Sequence, residues 1–123
     1  MKLLNSLYNI ISEKISENEH EFIIKLNPEH FIYQAHFPGE PITPGVCIMQ
    51  TAVELIEYKL GKPIALSTVK NIKFLQIISP NEWTEIKYTI GKISEEEGII
   101  KAQVAVSNDS DVFAKLSLIL TNC

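Results

Sequence analysis

The stretch from Val46 to Leu60 constrains the fold more than any other part of this chain. Its apolar residues Val46, Ile48, Met49, Ala52, Val53, Leu55, Ile56 and Leu60 recur at three- and four-residue steps, the period of an α-helix. They cover most of the helix circumference, and Gly61 and Pro63 stop it. A helix this apolar needs cover on nearly every side, which the rest of the chain must supply. Downstream, Ser67 to Leu75, Trp83 to Ile93, Ile99 to Ser107 and Val112 to Thr121 alternate with period two and read as strands. Short polar turns join them: Ser79-Pro80-Asn81, Glu95-Glu96-Glu97-Gly98 and Ser107-Asn108-Asp109-Ser110. One buried helix followed by an antiparallel meander predicts an α+β fold, with the sheet wrapped around the helix.

Upstream, Leu7 to Glu17 carries Tyr8, Ile10, Ile11 and Ile15, which fits a strand or a short helix equally. Glu21 to Leu26 reads as a strand, ended by Asn27-Pro28; Asn27 as N-cap and Pro28 at the first helical position then predict a short helix through Phe31 and Tyr33. His36 to Gly45 holds three prolines and two glycines in ten residues, so it is an irregular loop. No repeat or low-complexity linker interrupts the 123 residues, and their number suits a single domain spanning 1–123.

Composition removes several function classes. No apolar run approaches the roughly 18 residues of a membrane span. The start, Met1-Lys2-Leu3-Leu4-Asn5-Ser6-Leu7, lacks the apolar core and cleavage site of a signal peptide, which predicts a cytoplasmic protein. The net charge is −4 and all eleven cations are Lys, so the bidentate Arg contacts that usually read phosphates and guanines are absent and a nucleic-acid partner is not expected. Cys47 and Cys123 form no CxxC, and His20, His30 and His36 do not pair with them at zinc-ligand spacing. No metal or cofactor is expected. Cys47, within the apolar helix, reads as a small core residue rather than a nucleophile. His20 and His30 read as surface or hydrogen-bonded residues.

The loop and the helix start carry a specific signature. His36-Phe37-Pro38-Gly39-Glu40-Pro41-Ile42-Thr43-Pro44-Gly45-Val46 resembles the HFPxxPxxPGV motif of the FabZ/FabA-like 3-hydroxyacyl-[acyl-carrier-protein] dehydratases. Val69 to Pro80 resembles the family's strand that ends in a Pro-Gly turn, here Pro80-Asn81. The resemblance runs from about Glu21 onward, and the longer N-terminal segment common in full-length family members looks shortened. It implies the hot-dog fold, in which an antiparallel sheet wraps one long helix. It further implies a homodimer or a dimer-based oligomer with sites at the interface. One subunit there supplies the motif histidine and the other an acidic residue from its central helix.

Dehydrating a 3-hydroxyacyl thioester removes a proton α to the carbonyl and expels the β-hydroxyl. By resemblance His36 is the base, a role suited to an imidazole whose ordinary pKa of about 6.5 lies near working pH. The N–H groups of Gly45 and Val46, at a helix N-terminus, are the natural donors to an enolate oxygen, and Gly45 leaves room for the thioester. Phe37, Pro44, Gly45 and Val46 are the expected substrate contacts. The departure is Gln50, which stands where the family carries its catalytic Glu or Asp. An amide has no proton acidic enough to give to a leaving hydroxyl, although it can hold that hydroxyl or a water.

A carboxylate returns one turn on, at Glu54, where the family pattern usually shows Gln. Two readings stay open: Glu54 replaces the missing acid from roughly 6 Å along the axis, or Glu54 and Glu57 pair with Lys59 or solvent at an exposed helix end. The leading function is therefore a dehydratase acting on acyl carrier protein thioesters. The alternatives are a hot-dog thioesterase, with Gln50 orienting water, and a non-catalytic acyl-binding partner of an active dehydratase. Lys59, Lys62, Lys70 and Lys73 follow the helix closely enough to form either a docking patch for an acidic carrier or a solvated edge.

Overall fold

The computed structural model describes residues 2–35 and 39–123. After an N-terminal turn come β1 (Tyr8–Ile15) and β2 (His20–Leu26), a short α1 (Phe31–Ala35), the long α2 (Gly45–Leu60) and β3 (Ile64–Phe74). β4 (Glu85–Ile90), β5 (Ser94–Glu96), β6 (Ile99–Ser107) and β7 (Val112–Asn122) complete the described chain. Residues 8–15 thus resolve as a strand. α2 and the four long downstream strands stand where periodicity puts them, with ends shifted by a few residues. No described helix is long and apolar enough to cross a membrane.

The strands pair antiparallel in one sheet in the order β1-β2-β4-β6-β7-β3, with β5 hairpinned onto β6. This corrects the expected meander. β3 does not neighbour β4; it pairs with β7 at the far edge, and the chain returns through residues 75–84 to place β4 beside β2. Period-two alternation dictates which face each residue takes and is silent about neighbour order. Ten residues are enough to carry the chain across the sheet. The expected acidic turn is tighter than four residues: Glu97 and Gly98, both at positive φ, form the two-residue connection between β5 and β6. Asn108 closes the β6–β7 hairpin, its Oδ1 accepting from the N–H groups of Ser110 and Asp111.

Alternation fills the core from one sheet face. Ile86, Tyr88 and Ile90 of β4, Ile100, Ala102, Val104 and Val106 of β6, and Leu116, Leu118 and Leu120 of β7 are all buried. They share one cluster with Cys47, Ile48, Ala52, Leu55 and Ile56 of α2. At roughly 25 cal/mol per Å² of apolar surface removed from water, these side chains dominate the stabilisation. Tyr88 Oη donates to the carbonyl of Ile48 at 3.1 Å, pinning the helix to the sheet. Strand β3 is different: most of its residues are exposed, as befits an edge covered on one side only.

Candidate active site

The motif histidine, His36, lies outside the described residues, as do Phe37 and Pro38. The rest of the loop is held from two sides. Thr43 N–H donates to the carbonyl of Ile78 on the return segment (2.8 Å), and Thr43 Oγ1 shares a hydrogen bond with Tyr33 Oη of α1 (2.9 Å). Both side chains are buried, and burial raises the Tyr33 pKa, so the phenol stays protonated. Pro44 is the N-cap of α2, extended at φ −62° and ψ 146°, with no side-chain cap. Its carbonyl accepts from Cys47 (2.9 Å) and Ile48 (3.1 Å). The N–H groups of Gly45 and Val46 have no carbonyl behind them within the helix and lie at its positive end.

Gly45 is tightly covered. A β-carbon there would stand 2.8 Å from Phe74 Cζ, so the ring at the end of β3 packs directly on the helix start. Phe74 is itself half exposed, as are its neighbour Leu75, Ile77 further along and Val46 of the helix. Together they leave an apolar margin beside the loop.

Val46, Gln50 and Glu54 follow one another at four-residue steps, a stripe running from the helix start inward. Gln50 is half buried, and its Nε2 donates to Glu54 Oε2 at 2.9 Å. Glu54 is only 6 % exposed. Its carboxylate also accepts from Leu3 N–H (3.0 and 2.8 Å to the two oxygens), Leu4 N–H (2.9 Å) and Tyr8 Oη (3.1 Å). Burial, then the neighbouring Glu54, push the Tyr8 pKa well up, so its hydroxyl remains a donor.

Glu54 is buried rather than paired with Lys59 or solvent at a free helix end, which corrects that expectation, while Glu57 stays partly exposed and pairs with Lys2 instead of Lys59. Glu54 turns inward because the N-terminal turn, with Asn5 at φ 71°, presents it with unpaired N–H groups. Glu57 takes the N–H of Ile64 (3.1 Å) and the ammonium of Lys2 (3.1 Å), and the Ile64 bond, with help from Lys2, holds its pKa below the usual range.

The other singled-out residues find ordinary places. His20 is buried against the Phe22 ring with Nε2 2.9 Å from Glu13, and His30 Nδ1 accepts from Ile32 N–H. Burial pushes the Cys47 thiol pKa up, away from nucleophile chemistry. Lys59 lies 3.4 Å from His20 Nδ1, Lys62 pairs with Glu95, and Lys73 sits opposite Lys115 across the β3–β7 ladder, so these three lysines serve different places. No cluster of metal-binding side chains occurs among the described residues. Sequence reasoning missed Tyr8, Tyr33, Thr43 and Phe74; the only local signal was the four-residue spacing of Gln50 and Glu54.

A family model described as ApeI-like, ApeI dehydratase, matches residues 12–115. The 3-hydroxyacyl-[acyl-carrier-protein] dehydratase FabZ of Latilactobacillus sakei is 33% identical over 97 residues, covering 72% of this chain and 69% of that enzyme. The corresponding FabZ of Clostridium acetobutylicum is 32% identical over 97 residues, covering 72% and 68%. Among solved structures, the dehydratase heterocomplex ApeI:P from Xenorhabdus doucetiae superposes with a TM-score of 0.73 at 17% identity, covering 92% of this chain and 96% of that one. A putative thioesterase from Syntrophus aciditrophicus gives a TM-score of 0.61 at 13% identity, covering 97% and 86%.

Proposed function

The chain belongs to the ApeI-like dehydratase family and has its hot-dog fold, and from that premise we propose that it dehydrates 3-hydroxyacyl groups carried as thioesters on an acyl carrier protein. The observation that carries the reading is the junction of the motif loop with α2. The loop beginning at His36 runs into a helix whose first N–H groups, at Gly45 and Val46, are unpaired within the helix behind an uncapped Pro44. His36 takes the α-proton, and the two N–H groups hold the charge that moves onto the thioester oxygen. When the enolate collapses, the C3–O bond breaks and the oxygen leaves as water. The proton it needs comes from the imidazolium formed in the first step or from an acid on a second chain. Phe37, Pro44 and Val46 border the acyl thioester.

Two copies joined along β3 suit this chemistry. That edge is open, and the exposed Val46, Val69, Phe74, Leu75 and Ile77 lie along or beside it. In such a homodimer neither site would hold a carboxylic acid at the position of Gln50. The commitment of Gln50 to Glu54 therefore favours a second reading. Here this chain supplies His36 and a different hot-dog chain supplies the acid, an assembly of the kind named for the Xenorhabdus doucetiae relative.

The test is turnover of 3-hydroxyacyl carrier protein by the parent and by His36→Ala, beside hydrolysis of the saturated acyl thioester. The reading expects dehydration that falls at least about a hundredfold in the variant. Hydrolysis alone would establish a thioesterase. Activity only after adding an acid-bearing family member would establish the mixed assembly.

A further inference from the structure

The face of the sheet turned away from α2 carries two charges that the chain leaves unbalanced. Lys115 lies between the buried Ala114 and Leu116 and points outward, and its ladder partner on β3 is Lys73. Like charges directly opposite each other on a ladder are destabilising. Among the described residues neither ammonium has a carboxylate partner, whereas Lys87 on the same face pairs with Glu21 at 3.6 Å. The adjoining outward row is neutral and polar: Ser117 stands opposite Asn71 of β3 on one side and Gln103 of β6 on the other. Thr89, Gly91 and Ala105, all half-buried, continue the face with small side chains and leave a groove of about 400 Å³. Glu19, just before β2, stands at its other end, with β4, β6 and β7 between it and Lys73. A repulsion kept on a rigid ladder, beside a groove, is the kind of local conflict that a functional site tolerates.

We propose that this groove is a second binding site, on the opposite face of the sheet from α2, and that it takes a small phosphate monoester with a hydroxylated body, the chemistry of a sugar phosphate. The dianion of a monoester balances both ammoniums, where a carboxylate or a phosphodiester balances one. Lysines engage a phosphate as point charges, so the pair needs no fork geometry. The amide, hydroxyl and amide of Asn71, Ser117 and Gln103 both donate and accept, as sugar hydroxyls do. Glu19 accepts from a hydroxyl at the other end and repels a second anion there, which sets the direction of the ligand. From β7 to β2 is three strand spacings, roughly 14 Å, and the side chains reach inward from both ends. The floor is ladder-bonded backbone, so the site is formed before the ligand arrives and little ordering opposes binding. No residue of the motif loop or of α2 takes part, and the site stands whichever reaction the chain performs.

The test titrates glucose 6-phosphate, glucose and inorganic phosphate into the full chain, following backbone amide resonances, in the parent, Lys115→Gln and Lys101→Gln. Lys101 is exposed on the outward face of β6 and does not line the groove, so its variant loses the same charge elsewhere. Both positions are exposed, and neither change touches the core. Glucose 6-phosphate should give saturable shifts at Lys73, Gln103, Lys115 and Ser117, and glucose alone none. Inorganic phosphate should bind at least about threefold more weakly, for want of the hydroxyl contacts. Lys115→Gln should weaken the sugar phosphate at least about fivefold, the effect of one charge contact in water, and Lys101→Gln less than about twofold. Without ligand, Lys115→Gln should unfold at higher urea than the parent, because the repulsion is gone, and only the parent should gain stability from glucose 6-phosphate. Equal weakening in the two variants would mean general charge attraction and would overturn the site, as would shifts that do not saturate. Equal affinity for inorganic phosphate would overturn the hydroxylated ligand.

Discussion

The ring of Phe74 occupies the space that a side chain at position 45 would need, with Cζ 2.8 Å from where the β-carbon would sit. A glycine at the start of α2 is thus favoured by a ring nearly thirty residues away, independently of any substrate. Gly45→Ala should destabilise the fold by about 1–3 kcal/mol through overpacking. Phe74→Leu in the same chain should recover most of that loss. Urea unfolding of the two single variants and the double variant gives the coupling, and a value near zero would mean that the ring yields freely.

Glu57 offers a pH signature. Its pKa is lowered chiefly by the Ile64 N–H bond and secondarily by Lys2. A depressed carboxylate contributes stability that is present above its unfolded pKa, about 4.3, and is lost as the pH falls through the lower folded value. Glu57→Gln should therefore cost about 1 kcal/mol or less at pH 7. Parent and variant should converge as the solution is acidified below about pH 4. A gap that widens on acidification would refute the assignment.

Gln50→Glu would restore the acid that the family carries, but beside a carboxylate already in place 2.9 Å away. Two carboxyl groups that close share a proton, and the second ionisation is pushed up. Dehydration should rise at least about tenfold, because a shared proton keeps an acid available to the leaving hydroxyl. The linked effect on stability runs opposite to that of Glu57: a raised carboxyl pKa leaves the fold intact in acid and weakens it as the pH rises through that value. If Glu54 were already the acid, Gln50→Glu would gain little and Glu54→Gln would remove most of the activity.

The exposed edge of β3 predicts a self-associating surface. Val69→Lys places a charge on that edge, a device by which sheet edges resist pairing. Sedimentation should show a dimeric parent and a largely monomeric variant at micromolar concentration. A monomeric parent would remove the dimer from the proposed function.

Most of the architecture could be read from periodicity, since α2 advertised its burial on nearly every side and the strands their inward faces. The place of β3 could not, because alternation carries no information about which strand lies alongside. Of the candidate site, the motif loop and Gln50 were picked out through the family pattern and Glu54 through its four-residue spacing from Gln50. The partners of Glu54 were not legible, since Leu3 and Leu4 lie 51 and 50 residues away in sequence. No local rule connects a mid-helix glutamate to a chain start. Phe74 escaped for the same reason, since the need for a glycine opposite it arises only once β3 is laid beside the helix.

The position of β3 also bears on the order in which the molecule can assemble. Its partner among the described strands, β7, begins at Val112, so β3 leaves the ribosome almost forty residues before anything in this chain can pair with it. The return segment waits too, for Leu75 and Gln76 donate to the carbonyl of Phe113, and that segment in turn anchors Thr43 through Ile78. Contacts this distant are slow to form, because the loop must be closed before they reward it. The stretch around Thr43 therefore reaches its final shape only after β7 is made, and the last strand of the chain decides when the start of α2 is framed.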